Sequence, residues 1–158
     1  MLEGVHYQNA YVTRDIDKWV DVFQQNAKVD RVIRYEGETT VTTPDGPATQ
    51  TSKIAFLWIG DLQYEIIQPM GGTVRLYSDA LPADDGLKFH HTCLRVPDWE
   101  SFRARVDQEP YPVAIEGGSV VRFLYIDARP FLGHFVEYAW IPQAAWTQMG
   151  GPPMPGFA

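Results

Sequence analysis

Apolar residues recur along this chain at two periods, near 2 and near 3.6, and the switches between them lay out its elements. Val5 to Thr13 is rich in Tyr and Val and ends at a polar break, which predicts a strand. Directly after it, Ile16, Trp19, Val20 and Phe23 fall at the i, i+3, i+4, i+7 spacing of an amphipathic helix, with Asp15 placed to cap its start. Val29 to Tyr35 reads as a strand. Gly37 to Ser52 is Thr-rich and carries the turn signal Pro44-Asp45-Gly46-Pro47. Lys53 to Ile59 and Leu62 to Gln68, joined by Gly60-Asp61, predict a hairpin. The first half is therefore β-α-β-β-β.

A connection from Pro69 to Lys88 follows, with room for a short helix around Val74 to Ala80. Then the pattern restarts. Phe89 to Val96 reads as a strand, and Pro97-Asp98 opens a helix whose Trp99, Phe102 and Val106 repeat the apolar face. Val113 to Glu116, Val120 to Asp127 and His134 to Ile141 are three further strands. Residues 1–144 thus form a single domain of two modules, about 5–68 and 89–141. Residues 145–158 form an extended tail whose Pro-Gly end predicts a loose course.

The restart is a repeat in register as well as in type. Gln8 stands seven positions before the capping Asp15, and His91 seven before Asp98, an offset of 83 (91 − 8). At the other end Glu65, in Leu-Gln-Tyr-Glu-Ile-Ile, matches Glu137, in His-Phe-Val-Glu-Tyr-Ala, an offset of 72 (137 − 65). The shorter second offset fits the longer Thr-rich hairpin of the first module. Residues two apart share a strand face. His6, Ala10 and Val12 therefore lie with Gln8, and Gln63 and Ile67 with Glu65. Phe89, Cys93 and Arg95 lie with His91, and Phe135 and Ala139 with Glu137; His90 and His134 face the other way. A carboxylate among apolar and small neighbours, as at Glu137, is costly unless it is paired or bound to a metal.

Charge and composition narrow the partners. A net charge of −7 with no basic stripe argues against nucleic acid. No apolar run approaches the roughly 20 residues of a membrane helix, and the first residues lack the basic start and apolar core of a signal peptide. Cys93 is the only cysteine, so no intrachain disulfide or zinc finger can form. These features fit a cytoplasmic protein acting on a small molecule.

Two β-α-β-β-β modules, with a polar residue on each first strand and a Glu on each last, resemble the vicinal-oxygen-chelate superfamily. That family includes glyoxalase I, methylmalonyl-CoA epimerase, extradiol dioxygenases and bleomycin-resistance proteins. The resemblance runs from Val5 to Ile141 and rests on His6-Tyr-Gln8, Gln63-Tyr-Glu65-Ile-Ile, His90-His91-Thr-Cys-Leu and Gly133-His-Phe-Val-Glu137. It implies an α+β fold in which the paired modules curve into a cup around a divalent metal, with Gln8, Glu65, His91 and Glu137 as ligands. Such a set suits Zn, Ni, Co, Mn or Fe. It also implies a homodimer, for which exposed sheet edges and the tail give a motive.

The chemistry that goes with such a centre is lyase or isomerase chemistry: proton abstraction beside a metal-chelated carbonyl, with Glu65 or Glu137 as base. Glu137 is favoured for its apolar surroundings. His6 is an alternative to Gln8 as ligand, on the shared face. Arg122 and Arg129 are candidates to meet an anionic substrate or, equally, solvated surface. Trp58, Phe56, Tyr125 and Phe123 are core or pocket lining. A ring-cleaving dioxygenase, which usually has two His ligands to Fe(II), and a non-catalytic ligand-binding module are the alternatives. In the second module Asp127-Ala-Arg-Pro-Phe-Leu-Gly133 replaces the Asp-Pro-x-Gly turn usual in glyoxalase I.

Overall fold

The computed structural model describes residues 3–157; Met1, Leu2 and Ala158, the end of the expected tail, lie outside it. The first module runs β1 (Val5–Val12), α1 (Ile16–Asn26), β2 (Arg31–Thr43), β3 (Gly46–Ile59) and β4 (Leu62–Gly72). The second runs β5 (Lys88–Arg95), α2 (Trp99–Val106), β6 (Val113–Gly118), β7 (Arg122–Ile126), a short α3 (Arg129–Leu132) and β8 (Phe135–Trp140). Both long helices start where an Asp side chain satisfies a free backbone N–H. Asp15 accepts from Lys18 N at 3.0 Å, and Asp98 from Ser101 N at 2.7 Å.

Several boundaries differ from the sequence reading. The Thr-rich stretch is strand almost throughout, because β2 and β3 pair without a break from Arg31↔Trp58 to Thr43↔Gly46. Alternate Thr residues suit a half-buried pleat. Val74 to Ala80 forms turns and no helix. The longer turn before β8 winds into α3, closed by Gly133 in the left-handed region at φ 80°.

The sheet order is β1-β4-β3-β2-β6-β7-β8-β5, closed into a barrel. The cup expected from the sequence is closed by β2 against β6, paired at Val41↔Gly117 and Thr42↔Glu116. The two modules meet through β1 and β5, which run antiparallel with Gln8 opposite Cys93 and Ala10 opposite His91. Each module packs its helix outside. Ile16 and Val20 of α1 lie on Ala55, Leu57 and Ile66, and Trp99, Phe102 and Val106 of α2 lie on Leu124, Val136 and Tyr138. Cover on both faces explains why consecutive residues are buried in β4 (Glu65 to Ile67) and in β8 (Phe135 and Val136).

An eight-stranded barrel leaves an interior just wide enough for side chains. Two apolar layers fill it. Val12, Ile67, Ile115 and Phe135 form one, joined by Tyr77 from the connection between modules. Tyr7, Trp58, Cys93 and Ile141 form the other, joined by Trp146. Trp146 stands on α4 (Gln143–Gln148), a helix where the sequence predicts an extended tail. It is fully buried, edge-on to Tyr7 and Trp58 at 5.0 and 5.6 Å, and its indole N–H donates to Pro152 O at 2.7 Å. The indole lies so close to Gly151 that any side chain there would collide with it. Each end of the barrel is therefore stoppered by an aromatic ring, with polar residues between the two layers.

Candidate metal centre

Two bulges aim the polar residues inward. In the β1–β5 ladder the register slips between His6 and Gln8, and again between Ala10 and Tyr11, where one step on β1 meets the two steps from His91 to Phe89 on β5. The extra residues are Tyr7 and His90, themselves 83 apart (90 − 7), so the repeat extends to its irregularities. A bulge breaks strict alternation and re-aims side chains. Tyr7 and Gln8 are consequently both buried, as are His90 and His91. The face assignments made from alternation fail at these two places. His6 does not share the face of Gln8: it is exposed, and its Nε2 lies 2.9 Å from Asn9 Oδ1. That removes it as the alternative ligand. His90, expected on the opposite face, is buried against His91.

The remaining donors converge. The ligand atoms of Glu65, His91 and Glu137 all lie within 4.8 Å of one another. His91 Nε2 is 3.0 Å from Glu137 Oε2 and 3.4 Å from Glu65 Oε2, and all three side chains are largely or wholly buried. Two donors bound cis to one first-row cation at about 2.1 Å would stand roughly 3.0 Å apart at a right angle and about 3.4 Å at a tetrahedral one. The spacing around His91 therefore matches a coordination apex. The fourth residue expected, Gln8, is buried in the same interior, where its amide nitrogen donates to Gln63 Oε1 at 2.6 Å. Gln8 Oε1 and Glu65 Oε2 are buried with no hydrogen-bond partner. Buried, unpartnered acceptors, one of them 3.4 Å from the His91 imidazole, are what a hard cation would satisfy. The donor set thus fits a divalent metal.

Electrostatics follow from enclosure. Burial opposes a charged imidazole at His91, yet its hydrogen bond to Glu137 and the nearby Glu65 carboxylate outweigh it and hold its pKa at about 9. Burial raises the Glu65 carboxyl, and contact with His91 offsets part of that. His90 is driven the other way, to about 3, by burial and by the charge on His91. Cys93, suggested by alternation to face the centre, is fully buried there. Burial pushes its thiol up and Sγ donates to Tyr7 Oη at 3.4 Å, so it stays protonated.

Two tyrosines join the centre that the repeat did not mark. Tyr125 Oη donates to Glu137 Oε2 at 3.2 Å and lies 3.2 Å from His91 Nε2. Tyr77 Oη is 2.9 Å from Tyr125 Oη. Because the Tyr125 proton is directed to Glu137, Tyr77 must donate to Tyr125. Burial and the nearby carboxylates push both phenols well above 10, so they serve as donors. Of the arginines considered, Arg122 pairs with Glu100 and lies over Trp99 at 5.2 Å, on the helix-covered side of the sheet. Arg129 pairs with Asp127 at 2.6 Å and borders a cavity of about 820 Å³. That cavity opens over the Tyr77 end of the barrel and is lined by Leu76, Phe89, His90, Ile115 and Phe135.

A family model described as the glyoxalase/bleomycin resistance protein/dioxygenase superfamily matches residues 7–124. Among solved structures, a methylmalonyl-CoA epimerase from Mycobacterium tuberculosis is similar with a TM-score of 0.62 at 14% identity, covering 89% of this chain and 93% of that one. A Streptomyces coelicolor methylmalonyl-CoA epimerase variant in complex with 2-nitronate-propionyl-CoA is similar with a TM-score of 0.59 at 15% identity, over 88% of this chain and 99% of that one. A hypothetical protein from Bacillus halodurans C-125 is similar with a TM-score of 0.59 at 16% identity, over 87% and 94%. At these identities the likeness is one of fold. No curated protein matches the chain in sequence.

Proposed function

Because the chain belongs to the glyoxalase/bleomycin resistance protein/dioxygenase superfamily, we propose that it is a metal-dependent lyase or isomerase that moves a proton beside the carbonyl of a small oxygenated compound. Gln8, Glu65, His91 and Glu137 hold the cation. The observation that carries this reading is the convergence of Glu65, His91 and Glu137, from three strands, on one buried point. Two carboxylates enclosed together repel each other and lose hydration, a cost that a bound cation offsets.

When bound, a divalent cation supplies Lewis acidity toward a chelated carbonyl and steadies enolate charge. The proton transfer falls to the chain's own groups. Glu137 is the better base, because Tyr125 Oη, backed by Tyr77 Oη, donates to its Oε2 and keeps that carboxylate oriented. Tyr125, held protonated, donates to Glu137 while that carboxylate is ionised, and Glu65 and His91 fix the geometry. Aromatic stoppers at both barrel ends keep bulk water from the enolate. The neighbouring structures named as methylmalonyl-CoA epimerases support an isomerase reading.

One observation favours a second reading, a binding module without chemistry. The large cavity is lined by His90 and Phe135 and not by the three ligands, with Tyr77 between. A ring-cleaving dioxygenase is disfavoured: the cluster found among the described residues holds one His. Among the described residues no helix is long and apolar enough to cross a membrane, and we place the protein in the cytoplasm as a homodimer. Substrates deuterated beside their carbonyl test the enzyme reading. Label should wash into water with metal-loaded protein, and Glu137→Gln should slow it about 10²-fold while metal is retained. Washout unchanged in that variant would move the base to Glu65. No washout from any vicinal-dioxygen compound would leave the binding module.

A further inference from the structure

His90 lies in the bulge that turns His91 inward, and it has no part in the ligand set. Its ring is nevertheless tightly placed. It stacks on Phe135 at 5.1 Å with planes 22° apart, and Tyr77 packs against it at 5.0 Å. Its Nε2 is 3.2 Å from the backbone carbonyl of Leu76, and its Nδ1 is 2.8 Å from His91 Nδ1. These two contacts determine where the protons are. A carbonyl can only accept, so His90 Nε2 carries a hydrogen. In a neutral imidazole Nδ1 is then a bare acceptor, and at 2.8 Å from another Nδ1 it requires that the hydrogen between them belong to His91. With Nδ1 of His91 committed as a donor, its Nε2 is the nitrogen turned to Glu65 and Glu137.

We infer that His90 is a positioning residue, which locks His91 in the Nδ1–H form through a bond registered by the Leu76 carbonyl and so presents His91 Nε2 to the metal. This rests on the proposed metal centre and adds a support to it: the connection between modules, carrying Leu76 and Tyr77, is part of the site. A ligating His commonly has its second ring nitrogen held by a carboxylate, carbonyl or water, and loss of such a partner weakens metal binding 10- to 100-fold. Here a second imidazole does the holding.

The test has two arms. Long-range ¹H–¹⁵N NMR on histidine-labelled, metal-free protein at pH 7 should show His90 protonated at Nε2 and bare at Nδ1. Zinc-loaded protein should show His91 protonated at Nδ1 and bound through Nε2. In the second arm, zinc affinity is measured by chelator competition. His90→Phe keeps a ring for the Phe135 stack and removes the acceptor, and should bind 10- to 100-fold more weakly. His90→Gln, whose amide oxygen can take the His91 proton, should recover part of the loss. A proton on His90 Nδ1, or His90→Phe binding zinc within twofold of the wild type, would overturn the inference. A wild-type protein that binds no zinc would instead sink the metal centre, and the metal-free tautomer of His90 would still decide this question. The NMR arm uses the unaltered chain, so it holds even if a variant fails to fold.

Discussion

Loading a cation onto His91 needs the Nε2 lone pair, and in the metal-free protein His91 keeps its proton up to about pH 9. Binding at neutral pH must therefore expel a proton. Between pH 7 and 9 the apparent affinity should rise about tenfold per pH unit, so that binding at pH 7 is roughly 10²-fold weaker than its high-pH limit. Competition against a chromophoric chelator from pH 6.5 to 8.5 measures the slope. Calorimetry in two buffers of different ionisation enthalpy counts about one proton released per cation at pH 7.5. The metal-free protein shows the same group with opposite sign. The folded pKa of His91 lies above its unfolded value of about 6.5, so its contribution to stability is complete below pH 6.5 and lost as pH rises through 9. The full loss is on the order of 3 kcal/mol. Melting should accordingly fall from pH 6.5 to 9 after chelation, and saturating metal should abolish the fall. Glu137→Gln removes the nearest carboxylate and should flatten both trends. Affinity independent of pH, with no proton released, would refute the reasoning.

The other expectations concern the frame. Asp15→Ala leaves an N–H of α1 unsatisfied and should cost about 1 kcal/mol by urea denaturation, with Asp15→Ser near wild type; no change would mean the cap contributes nothing. Trp146→Ala empties the stopper at one barrel end and should cost about 3–5 kcal/mol, read as a lower denaturation midpoint. A loss under 1 kcal/mol would show that the tail does not close the barrel.

Much of this was legible because β-α-β-β-β is a local pattern repeated. Asp15 and Asp98 announced both helix starts, and the matched positions of Gln8 with His91 and of Glu65 with Glu137 pointed to residues that the structure gathers in one interior. What alternation could not carry was the pair of bulges. A strand's own sequence shows its pleat, while a bulge depends on the register of its neighbour. His90 was thus assigned outward and His6 inward, against what the β1–β5 ladder shows. Tyr77 was hidden in a connection with no period, and Tyr125 looked like any core aromatic. Trp146 sits next to a Pro- and Gly-rich end that reads as loose, yet two aromatic rings, the Arg95 guanidinium and a close-packed Gly151 hold it. The His-Nδ1 pair between neighbours in sequence carried a signal, the doubled His90-His91, that alternation argued away.

The central claim, that Gln8, Glu65, His91 and Glu137 hold one divalent cation, is tested most directly by X-ray absorption on metal-replete protein purified without chelators. The account expects one first-row ion per chain, with a shell of oxygen and nitrogen donors at about 2.0–2.2 Å, a single imidazole, no sulfur, and its loss in His91→Ala. A chain that stays metal-free in the presence of excess Zn, Ni, Co and Mn, or a shell containing sulfur from Cys93, would contradict it.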